Sequence, residues 1–552
     1  MTVAPPVTPD PGSTTPSSAA HSTKAPGSTA RSAERGYDRS DWASAFRNVG
    51  VELEGVELTA VRGQVPAELV GTLYRNGPGR LERGGQWVHH PFDGDGMITA
   101  LRFAGGKAEL SNRFVRTEGW QAEERAGRFV YRGVFGTQKP GGPLANAFDL
   151  RLKNIANTHV VRLGDQLLAL WEAAEPHALD PATLETHGLS HLDGLLKPGE
   201  AFSAHPRFDP GHHGQPRMVT FGVKTGPRST IRLLEFATTD QPATTDQPTP
   251  ADQPAAAGQP AAVRAGAVLA DSHHSFKGFA FLHDFAITPD WAVFLQNAVA
   301  FNPLPYVLGQ KGAAQCLASK PGEAGEFWLV PRESGRYAGR KPLRIAAPEG
   351  FVFHHLNAFD DPATGELAVD SIFYADFPSI GPGTDFRQVD FEAIPEGQLM
   401  RCRLDLAKAL AAPEGSLVQN AGAIEPLEQR TCEFAMVNPA RQGLAARFAW
   451  MAVAERERGN DPLQAIEKLD LACGERRVWS TAPRGFVSEP VMVPRSGATA
   501  EDDGWVLCLV WNGARCASDL VILNAADLSE QAVLELPLAI PHGLHGSWAP
   551  AA

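Results

Sequence analysis

Four of the seventeen histidines in this 552-residue chain stand in aromatic or apolar surroundings. His205 lies in Ser203-Ala204-His205-Pro206-Arg207-Phe208-Asp209, and His283 in Phe281-Leu282-His283-Asp284-Phe285. His354 lies in Phe353-His354-His355-Leu356-Asn357, and His545 in Gly543-Leu544-His545-Gly546-Ser547-Trp548. An imidazole buried there needs a partner, and a metal ion is one. Taken singly, each reads more simply as a satisfied core histidine. Spacing does not decide, because ligands on separate elements need no HxxH pattern. The pairs His212-His213 and His273-His274 have polar surroundings and read as surface loops, and His21 falls in a low-complexity tail.

Three acids stand in similarly costly places. Glu172 ends the run Leu167-Leu168-Ala169-Leu170-Trp171, Glu433 lies between Cys432 and Phe434, and Glu489 precedes Pro490-Val491-Met492-Val493. A carboxylate closing an apolar strand is expensive unless a donor or a positive group meets it. A metal-bound imidazole offers such a donor through its second ring N–H. Each acid alone reads equally as a strand end reaching solvent.

The elements that would carry these residues are strands. Val219-Thr220-Phe221-Gly222-Val223, Trp291-Ala292-Val293-Phe294-Leu295, Phe448-Ala449-Trp450-Met451-Ala452-Val453 and Trp505-Val506-Leu507-Cys508-Leu509-Val510 are short β-type runs between Gly, Pro, Asp and Asn. Residues 366–374 partly alternate, as a strand with two different faces does. Helical periodicity is confined to 145–153 and 404–411. Many short strands over some five hundred residues suggest a propeller or stacked sandwiches, without a repeat that counts blades. Residues 1–36 are Thr, Pro, Ser, Ala and Gly rich and predict a disordered tail. At 238–262 an Asp-Gln-Pro unit recurs, which predicts a surface loop lengthening a turn between two strands.

Composition excludes several classes. With 43% apolar and 20% charged residues the chain can build a large core. Fifty Lys and Arg against 63 Asp and Glu give a formal charge of −13, and phosphate binding needs a basic stripe, so no nucleic-acid partner is expected. No apolar run is long enough to span a bilayer, and the first residues lack a charged-then-apolar leader, so a cytoplasmic protein is expected. The six cysteines are scattered singly, outside any zinc or redox spacing. Cys508 reads as a small buried hydrophobe.

Several motifs in sequence order sharpen this reading. They are Leu73-Tyr74-Arg75-Asn76-Gly77-Pro78-Gly79, His90-Pro91-Phe92-Asp93-Gly94-Asp95-Gly96-Met97, Tyr131-Arg132-Gly133-Val134-Phe135-Gly136, Asn154-Ile155-Ala156-Asn157-Thr158, Leu168-Ala169-Leu170-Trp171-Glu172, the four histidine segments and Glu501-Asp502-Asp503-Gly504-Trp505. Together they resemble the carotenoid cleavage oxygenase family from about residue 40 onward. The resemblance implies a single all-β domain over 37–552, a seven-bladed β-propeller with a helical and loop cap over an axial Fe(II). The implied iron ligands are His205, His283, His354 and His545. Glu172, Glu433 and Glu489 are the acids implied to hold the ligand rings in one tautomer, and Thr158 falls near the open side of the metal. Trp171, Phe135 and Phe353 match aromatics that line the substrate tunnel. Ala435 stands where the family usually has Pro in the loop after Glu433, and the Asp-Gln-Pro insertion is also a departure.

The implied reaction inserts O2 across one C=C bond of an apocarotenal or apocarotenol and yields two carbonyl products, one of them retinal-like. A lipophilic polyene is compatible with peripheral contact at a membrane surface, without a spanning segment. Two other readings remain at this point. One is a stilbene-cleaving dioxygenase, in which a Lys commonly takes the position of Trp171. The other is a catalytically silent propeller that binds partners. Asp93-Gly94-Asp95-Gly96 is too short for an EF-hand and reads as a tight turn.

Overall fold

The computed structural model describes residues 36–240, 263–320, 322–379, 383–420 and 422–551. The tail expected at 1–36, except Gly36, and residues 241–262 of the insertion lie outside the described residues.

Seven sheets, antiparallel apart from one parallel pair at the outer edge of blade four, form the blades of a β-propeller. Their innermost strands are Gly546–Pro550, His159–Leu163, Arg207–Asp209, Ala286–Ile287, Phe351–Asp361, Cys432–Val437 and, in blade seven, the split pair Gly485–Val487 and Val491–Pro494. Both chain ends close the ring. The C-terminal strand Gly546–Pro550 pairs with Gly71–Arg80 as the inner edge of blade one. Near the N-terminus, the second strand, Ala60–Gly63, pairs with Glu530–Glu535 as the outer edge of blade seven.

Seven apolar clusters each join two neighbouring blades, which explains the continuous apolar runs in the sequence. Side chains alternate along a strand, and here both faces meet another sheet. Ala449, Met451 and Val453 pack toward blade five, whereas Trp450 and Ala452 pack toward blade seven. In the next blade Trp505, Leu507 and Leu509 face blade one, while Val506, Cys508 and Val510 face blade six. Cys508 is therefore a packed hydrophobe, as its run implied.

The expected hairpin at the insertion is present. Arg228–Ala237 pairs antiparallel with Val268–Lys277 on either side of the insertion. His273 and His274, expected in a loop, sit instead on this outer strand of blade three. His212 and His213 are in a loop, yet a ring nitrogen of each lies 2.7 Å from a carbonyl, of Gln442 and Pro289 respectively. The helix expected over 145–153 is not formed. Gly142–Asn146 is helical, and Phe148 then takes a left-handed φ of 59° that no helix continues. The second expected helix is shorter, Leu406–Ala411, because Leu404 ends a strand. Asp93 ends a short 3₁₀ turn and accepts from the N–H groups of Phe135 at 2.8 Å and Thr137 at 3.0 Å, while Asp95 pairs with Arg83 and Lys153. Asp93 is satisfied by these donors and Asp95 by its two cations, so the turn reading holds over a calcium loop.

Strand direction fixes which loops cover the site. His545 and His283 lie just before inner strands, and adjacent strands are antiparallel. The described parts of the segments 115–158, 297–325 and 375–397 therefore emerge at the histidine end. They carry the helices Glu118–Ala126, Gly142–Asn146 and Leu304–Val307 over that end of the propeller.

Candidate metal centre

Each ring of the cluster comes from the start of a different inner strand. His545, His205 and His283 precede the inner strands of blades one, three and four, and His354 lies within that of blade five. Register shifts flank the His354 region, between Val352 and His355 and again between His355 and Asn357. Such bulges re-aim a side chain toward the axis. The next position, in blade six, is Glu433, also at a shift, between Glu433 and Met436. Phe434 there has φ 57°, a strained backbone for a bulky residue, and its N–H donates to Glu433 at 3.0 Å. The stretch expected as a loop around Ala435 is this bulged strand.

One ligand atom of each of His205, His283, His354 and His545 lies within 4.8 Å of the others. The Nε2 atoms of His205 and His283 are 2.9 Å apart. Metal–nitrogen bonds of ~2.1 Å at right angles place neighbouring nitrogens about 3 Å apart and opposite ones about 4.2 Å apart. The Nε2 of His354 is buried with no hydrogen-bond partner, a costly state that a metal would relieve. The residues fit a metal ion. Among the described residues no other group of acids, cysteines and histidines does so.

Three of the rings are oriented by carboxylates. Nδ1 of His283 lies 3.2 Å from Glu172, that of His354 2.7 Å from Glu433 and that of His545 2.8 Å from Glu489. A proton on Nδ1 leaves the Nε2 lone pair facing the axis. Burial would raise the pKa of each acid, but the paired ring outweighs it, and all three are held below the ordinary value. For Glu489 the added charge of Arg75, 2.6 Å away, brings it down to about 2. His205 has no such partner. Its Nδ1 is 4.0 Å from Asp284, and burial followed by the three neighbouring rings keeps it neutral, far below the usual imidazole range.

Other expected residues gather with different closeness. The hydroxyl of Thr158 is 3.4 Å from Glu172, at the start of blade two, which contributes no ring to the cluster. The ring of Phe353 is 5.4 Å from that of His283, so it forms part of the wall. Trp171 is buried beside Glu172. Phe135 packs on His90 and Phe92, in the segment leading to blade two.

Sequence reasoning passed over four contributors. The hydroxyl of Tyr374 donates to Glu433, and Arg75 neutralises Glu489. Phe434 places its ring 5.5 Å from His545, and His159 lies beside His205 and His545. Arg75 was within a quoted motif, but its pairing spans over four hundred residues and has no local signal.

The comparisons agree with this geometry. A family model described as retinal pigment epithelial membrane protein, RPE65, matches residues 46–550. The chain is 43% identical over 527 residues to apocarotenoid-15,15′-oxygenase of Synechocystis, covering 94% of this chain and 98% of that one. It is 29% identical to resveratrol cleavage oxygenase 1 of Aspergillus fumigatus, covering 93% of this chain and 95% of that one. The crystal structure of cobalt-substituted Synechocystis ACO superposes with a TM-score of 0.84 at 43% identity, over 94% of this chain and all of that one. The model match spans more than nine-tenths of the chain and the four-histidine cluster sits within it, so this protein belongs to the RPE65 family of carotenoid oxygenases.

Proposed function

We propose that the chain is an Fe(II) dioxygenase that cleaves one C=C bond of an apocarotenal or apocarotenol, with a retinal-type aldehyde as one product. One C=C bond and the O–O bond break, two C=O bonds form, and both oxygen atoms end in the carbonyl products. His205, His283, His354 and His545 would hold the metal, and Fe(II) bound there would activate dioxygen. The overall reaction neither takes up nor releases a proton. That suits a site whose acids are all tied to rings, to Arg75 or to the hydroxyl of Tyr374.

Glu172, Glu433 and Glu489 keep the rings in one tautomer and offset the metal charge. Thr158 sits on the side with no ring, where substrate and dioxygen meet. A polyene has no ionic handle, so its position comes from apolar walls, for which Phe353 and Trp171 stand at the site and Phe135 in the overlying segment. Trp171 is the observation that favours a polyene over a hydroxystilbene, since a phenol is better held by a charged group.

Among the described residues no helix is long and apolar enough to cross a membrane. Leu144, Phe148, Leu150 and Leu304 are nonetheless exposed at the histidine end. They support a cytoplasmic enzyme that takes its substrate at a membrane surface, without a spanning segment.

The test is competition between an apocarotenal and a 4-hydroxystilbene with iron-loaded protein, scored as the ratio of kcat/KM with products identified by mass spectrometry. A ratio favouring the apocarotenal is expected. One favouring the stilbene would overturn the substrate and leave the iron reading intact.

A further inference from the structure

Three of the four rings have a carboxylate to orient them, and His205 has none. Blade two, which supplies no ring to the cluster, begins instead with Thr158 and His159. The Nδ1 of His159 lies 2.9 Å from the carbonyl of Ala204, the residue directly before His205. Its Nε2 lies 3.1 Å from the carbonyl of Gly546, the residue directly after His545. Its ring centroid is 6.3 Å from that of His205 and 5.6 Å from that of His545.

The surrounding backbone leaves this ring little freedom. The N–H of His545 donates to the carbonyl of Thr158 at 3.0 Å, and the hydroxyl of Ser547 donates to the carbonyl of Val160 at 2.7 Å. Asn76 donates to the carbonyl of His159 itself at 2.8 Å. Gly546 is required at its position, because a Cβ there would lie 2.5 Å from the carbonyl of Tyr74. The C-terminal strand is thus laced to blade two by backbone and hydroxyl. His159 itself reaches across to the segment that enters blade three, at the Ala204 carbonyl. On the His205 side the hydroxyl of Ser203 accepts from the N–H of His205 at 3.0 Å, and Asp284 stands 4.0 Å from its Nδ1, beyond hydrogen-bond reach.

We propose that His159 is a positioning residue that does for His205, through the peptide at Ala204, what a glutamate does for each of the other three rings, and that it sets the His205–His545 spacing across blade two, which gives no ligand. The inference rests on the metal-ligand assignment above. Outer partners of metal ligands set the ligand direction, and losing one typically weakens metal binding by about 10–100-fold.

The test titrates metal-free protein with Co²⁺ by calorimetry and records the ligand-field absorption bands. His159→Phe keeps a ring and removes the one N–H that a neutral imidazole can offer to these two carbonyls. Its Co²⁺ affinity should fall by about 10–100-fold, with shifted bands and an unchanged far-ultraviolet dichroism spectrum. His159→Gln, which keeps a donor for the Ala204 carbonyl, should recover part of the affinity. A role in stability alone would lower the melting temperature of the metal-free protein and leave affinity and bands as in wild type, which overturns the inference. Should the Phe variant not fold, the Gln variant decides by the same criterion. His205→Ala runs alongside. Its loss of Co²⁺ together with wild-type binding by His159→Phe defeats the positioning role alone, whereas tight binding by His205→Ala defeats the ligand assignment too.

Discussion

His354 and His355 are consecutive residues with opposite partners. Nδ1 of His354 is bonded to Glu433 at 2.7 Å, and its Nε2 is buried and unpartnered in the axial cluster. Nδ1 of His355 is bonded to the hydroxyl of Ser371 at 2.7 Å, and its backbone N–H donates to Asp284 at 2.8 Å. One ring belongs to the axial histidine cluster and the other to the packing of blade five. Alternation along a strand, adjusted by the bulges, separates them.

His354→Ala is therefore expected to lose metal and all turnover, as are the alanine variants of His205, His283 and His545. His355→Ala should keep a full complement of iron and fall only in stability, by ~1–3 kcal/mol for the hydroxyl left unpartnered. Metal content by atomic emission and melting temperature separate the two. Iron retained in His354→Ala would remove that residue from the ligand set.

The three acids should not be equivalent. Glu489 answers three donors, namely His545 at 2.8 Å, Gly546 N–H at 2.8 Å and Arg75 at 2.6 Å, and the Arg75 side chain is buried. Glu489→Gln strips a buried arginine of its counter-charge, a change that costs ~3–5 kcal/mol. Glu172 faces only His283 at 3.2 Å and Thr158 at 3.4 Å. Glu172→Gln should weaken iron binding or rate by about 10–100-fold with a near-normal melting temperature. Equal loss of stability in both variants would contradict this ranking.

The site was legible in the sequence to an unequal degree. His545 and Glu172 stood out because a polar residue closing an apolar stretch is costly. Identifying them as a set needed long motifs, because the ligands lie on different blades. Blade number was not legible. Buried faces on both sides of Trp450 and Cys508 erase the alternation that marks a one-sided sheet. The helix expected over 145–153 failed for another reason. The apolar residues there, Phe148 and Leu150, point to solvent and not to a core. His159 gave no signal, since its partners are carbonyls of Ala204 and Gly546, which any residue supplies.

A buried acid pair between blades five and six sets a stability slope. Glu467 and Glu428 are both buried, and burial together with the neighbouring carboxylate pushes Glu467 up to about 8. A carboxyl whose folded pKa lies above its unfolded value binds its proton more tightly when folded. Its contribution is complete below the unfolded value of 4.5 and is lost as pH rises through about 8. Unfolding free energy in urea should therefore decline between pH 5 and 8, by no more than ~1.4 kcal/mol per pH unit from this group. Glu467→Gln should flatten that decline. An unchanged slope would place its origin elsewhere.

The insertion should be dispensable. Backbone bonds close the hairpin before it begins, from Gly266 N–H to Ala237 at 2.8 Å and from Ala237 N–H to Ala267 at 2.9 Å. Replacing residues 238–262 with a short Gly-Ser turn should leave melting temperature, iron content and cleavage close to wild type, since closure entropy changes slowly with loop length. A large loss of stability would show that the segment packs on the blades.

The exposed apolar residues at the histidine end are expected to hold the enzyme at lipid. Leu144 is 93% exposed and Phe148 76%, on the segment that also carries Leu150, and the N–H of Phe148 donates to Val307 at 2.8 Å. That bond ties them to the neighbouring helix Leu304–Val307, whose Leu304 is also exposed. Scattered surface leucines need no explanation, but two linked segments presenting them together on the substrate side form a patch. Each such side chain is worth ~1.5–3 kcal/mol when fully buried, so a few of them give reversible adsorption without insertion. Flotation with neutral phosphatidylcholine vesicles should recover the wild type with the lipid, and Leu144→Ser, Phe148→Ser and Leu150→Ser combined should stay with the unbound protein. The same triple variant should keep kcat on detergent-solubilised apocarotenal and lose rate only when the substrate is supplied in vesicles. Equal flotation of both proteins, or an equal loss of rate in detergent, would take the patch out of substrate uptake.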